Sequence, residues 1–102
     1  MISNTSPIIF LSKINKLDLL KRLFREISIP SQVKEELLIV GKPGLIGIQE
    51  AFKDGWIAVL EPKENLPLGL GKGETAAISL AKERKEALIV DDAVSVKVAQ
   101  SL

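Results

Sequence analysis

Four short apolar segments, residues 1–3, 27–29, 56–60 and 87–90, are each followed by a stretch with helical spacing, and that alternation constrains the fold more than any other feature. Strands that reach their neighbours through helices pair in parallel. The last segment, Ala87-Leu88-Ile89-Val90, has no polar alternation, as expected of a strand covered on both faces in a parallel sheet. The predicted order is β-αα-β-αα-β-α-β-α, an α/β chain with no internal repeat and no low-complexity tract. With 102 residues, 46% of them hydrophobic, it can build one domain with one core and not two.

Local signals set the predicted helices. Ser6 caps the first, with Pro7 in its opening position and Ile8, Ile9, Leu11 and Ile14 as its apolar face. The second covers about residues 17–24, with Leu17, Leu19, Leu20 and Leu23 inward and Lys21, Arg22 and Arg25 outward. Pro30 closes the 27–29 strand, and Ser31 begins a helix with Val33, Leu37 and Ile39 inward. A break at 41–44 precedes a helix through Ile46, Ile48, Ala51 and Phe52 that Gly55 ends. A polar, proline-containing loop over 63–70 leads to a helix from about 73 to 85, whose Ala76, Ala77, Ser79 and Ala81 let it lie close to a sheet. A last helix is predicted over 93–101.

Composition narrows the chemistry. Cys and His are both absent, which excludes thiol nucleophiles, disulfides, zinc fingers, haem ligation and Ser-His-Asp catalysis. Carboxylates, amides, hydroxyls, lysines and arginines remain. The net charge of +1, from 14 basic and 13 acidic residues, supplies no polybasic arm, so a nucleic-acid partner would have to be held by a local site or a bound cation. No membrane-spanning stretch and no signal-like start are evident, so the cytoplasm is the expected location, with no membrane partner.

In a parallel α/β fold, residues at strand ends and helix starts gather at the carboxyl edge of the sheet. Asn4, Glu36, Glu74 and the Asp91-Asp92 pair are at or near such positions, and together they could form an acidic pocket for a hard cation. Each also has a plainer reading. Glu74 can complement a helix dipole, worth a few tenths of a kcal/mol; Glu36 can be a solvated residue beside Glu35; Asn4 can start a turn; and one aspartate can cap the next helix. The joint occurrence favours Mg²⁺ or Mn²⁺, which take carboxylate and water ligands without His or Cys. Gly69, Gly71 and Gly73 around Lys72 match neither the Walker loop, which needs Gly-Lys followed by Ser or Thr after a strand, nor the dinucleotide fingerprint. They read as a loop that lets a helix begin tightly.

Ile2-Ser3-Asn4-Thr5-Ser6-Pro7-Ile8-Ile9, then Ile29-Pro30 with Val33 and Glu36, then Gly71-Lys72-Gly73-Glu74 with Ala77-Ile78 and Leu80-Ala81, then Leu88-Ile89-Val90-Asp91-Asp92 resemble, in order, the blocks of PIN-domain proteins. The similarity is greatest to a short prokaryotic subgroup related to the toxin halves of toxin-antitoxin pairs. The resemblance implies a three-layer α/β/α sandwich around a central, mostly parallel four-stranded sheet. It also implies a divalent-metal ribonuclease with RNA as substrate and an antitoxin-like protein as possible partner.

By position, Glu36, Glu74 and Asp92 match the family's acids, with Asp91 a near alternative, and Thr5 and Ser6 match the hydroxyls after the first acid, which the resemblance implies contact substrate. Asn4 stands where the pattern has Asp, a neutral and weaker ligand. Relatives usually continue into a further strand and helix beyond the point matching Leu102, so an uncovered sheet edge and homo-oligomer formation are expected. A non-catalytic PIN-like module that binds RNA or protein is the competing reading, and a small phosphate-binding domain the remote one.

Overall fold

The computed structural model describes residues 1–39 and 44–89. Its elements run β1 (Ile2–Ser3), α1 (Thr5–Lys13), α2 (Asp18–Phe24), β2 (Ile27–Ile29), α3 (Ser31–Leu37), α4 (Leu45–Lys53), β3 (Ile57–Val59), α5 (Lys72–Arg84) and β4 (Leu88–Ile89). That is the predicted order as far as the fourth strand; the helix expected over 93–101, most of the 41–44 break and the end of the 87–90 segment lie outside the described residues. All strand pairs are parallel, in the order β3-β2-β1-β4. The chain builds outward from β1 to β3, then crosses back through α5 to add β4 on the other side of β1. The order therefore reverses between β1 and β4, the place where open parallel sheets form their clefts.

Register shows which residues face which layer. Ile2 is level with Ser28 and with Leu88, so these three share one face, and Ile27 and Ile29 point to the other. Ile2 and Leu88 pack with Ala77, Leu80 and Ala81 of α5. Ile27, Ile29 and Ile57 pack with Ile8, Leu20, Val33, Leu37 and Ile48 from the other four helices. The result is a three-layer α/β/α arrangement in which, among the described residues, one side is covered by α5 and the other by the remaining four helices. Each fully buried Ile or Leu contributes about 1.5–3 kcal/mol. The small residues of α5 bring its backbone close to the sheet, as the sequence predicts.

Several local expectations fail for identifiable reasons. Asn4, not Ser6, caps α1: its backbone is extended, and its side-chain oxygen accepts a hydrogen bond from Thr5 N–H at 2.8 Å. Pro7 then falls within the first turn, where its missing N–H costs no helical bond. In α2 and at its cap, Leu20 and Leu17 are buried, while Leu19 and Leu23 are exposed. A seven-residue helix presents one narrow face, and Phe24 completes it. Ile14, Ile39 and Ile46 are also exposed. Leu88 and Ile89 are only half-buried, so the continuous apolar run of the fourth strand overstates its covering.

The far end of α5 fixes the pairing of β1 with β4. Glu86 N–H bonds Ala81 carbonyl at 3.0 Å and Lys85 N–H bonds Lys82 carbonyl at 3.2 Å, closing the helix through a left-handed Lys85 at φ 55°. The Glu86 carboxylate then takes the α-ammonium of Met1 at 2.9 Å and Arg84 Nε at 2.7 Å. Arg84 first, and the ammonium second, hold that carboxyl below the usual glutamate value. Ile2 N–H bonds Ala87 carbonyl and Asn4 N–H bonds Ile89 carbonyl, both at 3.0 Å.

Candidate functional site

Asn4, Thr5, Glu36 and Gly73 meet at the carboxyl edge of the sheet, beside the reversal between β1 and β4, and Glu74 follows Gly73 in the first turn of α5. Asn4 leaves β1, is 2% exposed, and spends its side-chain oxygen on the first N–H of α1. That cap sets the orientation of the next residue. Thr5, also buried, donates its hydroxyl to Glu36 Oε2 at 2.7 Å across a separation of 31 positions. A hydrogen bond to a charged acceptor is about twice as strong as one between neutral groups.

The other side of the Glu36 carboxylate rests on α5. A side-chain carbon at Gly73 would overlap Glu36 Oε1 and come within 3.2 Å of Cδ. Glycine is therefore favoured here by the close approach of the Glu36 carboxylate, not by backbone conformation. Glu36 is in the last turn of α3, where the dipole is unfavourable to a negative charge, and lies against the first turn of α5, where unbonded N–H groups favour one. Glu74 follows Gly73 directly and is half-buried, with Oε2 3.8 Å from the space a Cβ on Gly71 would take. One carboxylate, a buried amide and a hydroxyl thus belong to one junction of β1, α1, α3 and α5, with Glu74 one residue along α5 from the glycine that seats Glu36.

Of the other residues assigned from sequence, Ser6 is exposed on α1, and Asp91 and Asp92 lie outside the described residues. Among the described residues no three acidic side chains form a cluster. The oxygens that do converge are all hard donors, the kind that Mg²⁺ or Mn²⁺ takes, and the side-chain-free surface at Gly73 is what admits one of them. Sequence reasoning treats Gly73 as a helix-start glycine and Thr5 as a hydroxyl for substrate. The Gly-x-Gly-Glu spacing signals a special glycine, but nothing local tells that its neighbour is Glu36.

A second feature adjoins this junction. The loop before α5 forms, with α3 and α5, an open cavity of about 430 Å³ lined in part by Gln32, Asn65, Lys72 and Thr75.

Comparison with family models gives one match over residues 1–102, to the family described as DUF3368, PIN domain. Comparison with curated proteins and with solved structures gives no match.

Proposed function

Since the chain belongs to the PIN-domain family, a family of nuclease type, we propose that it is a metal-dependent ribonuclease cleaving RNA phosphodiester bonds. The observation that supports this most directly is the Glu36 carboxylate, held by the Thr5 hydroxyl on one side and seated against Gly73, next to Glu74, on the other. In this reading Asn4, Glu36 and Glu74, with Asp92 and its neighbour Asp91, hold Mg²⁺ or Mn²⁺. Ser6 offers an exposed hydroxyl to substrate, whereas the Thr5 hydroxyl orients Glu36. The bound cation would supply an activated water and stabilise charge on the phosphate. The chain's own part is to fix the carboxylates in advance, so that little reorganisation accompanies reaction.

The test is cleavage of mixed-sequence single-stranded RNA with Mn²⁺, with EDTA, and with Glu36→Gln and Glu74→Gln. Loss of cleavage in EDTA and in both variants is the expected result. Cleavage that survives both substitutions refutes the assignment.

One observation favours a second reading, a catalytically impaired PIN-like module that binds RNA or a protein partner. The oxygen of Asn4 is neutral and already serves as a helix cap. Tight RNA binding without cleavage under any divalent ion would select it. Under either reading, an antitoxin-like protein or a second copy of the chain would find apolar side chains exposed on α1, α2 and α4, among them Phe10, Leu23 and Ile46.

A further inference from the structure

The cavity beside α5 differs in character from the carboxylate junction it adjoins. Among the described residues, no acidic side chain lines it. Lys72 brings a positive charge, Gln32 and Asn65 bring amides that both donate and accept, and Leu66 and Leu70 supply apolar surface. Its volume of about 430 Å³ falls within the range of small-molecule sites. Its wall is also held in place. Leu66 N–H bonds the buried Ser79 hydroxyl at 2.9 Å, and that hydroxyl donates to Thr75 carbonyl at 2.7 Å. Thr75 in turn donates to Leu70 carbonyl at 3.3 Å, and Lys63 N–H reaches Glu83 at 2.7 Å. The loop is thus tied to α5 along two turns, so the cavity exists before any ligand arrives.

Lys72 and Thr75, three residues apart, share one face of α5 and face the cavity, while Gly73 between them supports Glu36. One helical turn therefore serves both places. Resting on the nuclease reading, we propose that the cavity is a nucleotide subsite for single-stranded RNA. It takes the base beside the phosphate presented to Glu36 and Glu74, with Lys72 on the backbone phosphate and the Gln32 and Asn65 amides on the base edge. An unpaired base offers an apolar face and a polar edge, which matches a pocket with apolar and amide walls; the Lys72 ammonium suits the phosphate.

The experiment is fluorescence anisotropy of a short labelled single-stranded RNA in EDTA, where no metal contributes. Lys72→Ala should weaken binding about five- to tenfold and lower the salt slope by about 1, because one phosphate contact is lost. Asn65→Ala should weaken binding by a similar factor and leave the salt slope unchanged. Lys85→Ala, at the other end of α5, should change affinity less than about twofold, which separates the pocket from a general loss of charge. Ser79→Ala, which touches no ligand, should weaken binding by releasing the loop, again with the parent's salt slope. Equal effects of Lys72→Ala and Lys85→Ala, or pocket variants that bind as the parent does, overturn the proposal, as does a parent that binds no RNA. If Glu36→Gln loses cleavage while Lys72→Ala binds normally, only the subsite fails. Pocket-dependent binding without metal-dependent cleavage keeps the subsite and removes the nuclease reading.

Discussion

Gly73→Ala isolates the close approach on which the candidate site depends, and Gly47→Ala is its matched control. Both glycines are in the first turn of their helices, but a Cβ at Gly47 meets nothing within 4 Å, whereas at Gly73 it overlaps Glu36. Alanine ordinarily favours a helix over glycine by up to about 1 kcal/mol, so Gly47→Ala should stabilise by about 0.5–1 kcal/mol. At Gly73 the same gain is opposed. The atom in the way is the end of a flexible, half-buried side chain, so the carboxylate can swing out, and what is lost is the Thr5 hydroxyl bond. A bond to a charged group is worth about 1.5–3 kcal/mol, taken at the low end here because Glu36 is partly solvated.

The net expectation is a Gly73→Ala protein destabilised by about 0.5–1 kcal/mol, some 1–2 kcal/mol below Gly47→Ala. Urea melts of the two variants, at unchanged m-value, measure that gap. Shortening the acid with Glu36→Asp should cost less in the Gly73→Ala background than in the parent, giving a positive coupling in a double-mutant cycle. Gly73→Ala stabilised as much as Gly47→Ala would refute the argument, because the Glu36 carboxylate would not then occupy that space.

Three further outcomes are expected. Asn4→Asp keeps a competent helix cap but adds a buried charge near Glu36, so it should lose about 1 kcal/mol without metal and recover it with Mn²⁺; thermal melts with the same Mn²⁺ response as the parent would remove Asn4 from the site. The Glu86 carboxyl is held below its usual value, so its contribution is present above the ordinary carboxylate range and disappears as pH falls through the lowered value. Glu86→Gln should therefore cost less than about 1 kcal/mol at neutral pH and nothing near pH 2, read from urea melts at both. Lys85→Gly should stabilise by about 0.5–1 kcal/mol in urea, since the residue sits at φ 55° with its backbone cap intact.

The sheet was legible because its signals are local. β-branched runs closed by Pro30, Gly55 and Pro62 mark strands and helix ends without reference to the rest of the chain. Facing is harder in short helices. Four leucines between 17 and 23 admit more than one buried face, and the neighbours that choose Leu17 and Leu20 come from β2, α4 and Trp56. The α1 cap was misread since Ser6-Pro7 is the stronger dipeptide signal, though proline fits anywhere in a first turn and the extended Asn4 precedes it. In the site, strand-end and helix-start positions are legible for Asn4 and Thr5 after β1 and for Gly73 at the start of α5. The Thr5 to Glu36 bond and the seat at Gly73 were invisible because they join α1, α3 and α5, and no periodicity in one segment encodes the distance to another.

The strand order also sets when the candidate site can assemble. β1 is made before the strands that flank it, yet stays open on one side until residues 88–89 arrive, and the contacts that close it span almost the whole described chain. Pairings of such long separation form late in folding. A chain emerging from synthesis can already possess Asn4, Thr5 and Glu36, but not the helix turn that seats the carboxylate. The seat for the Glu36 carboxylate should therefore form only once α5 and residues 88–89 have been made, after a period in which β1 presents a bare edge to other chains.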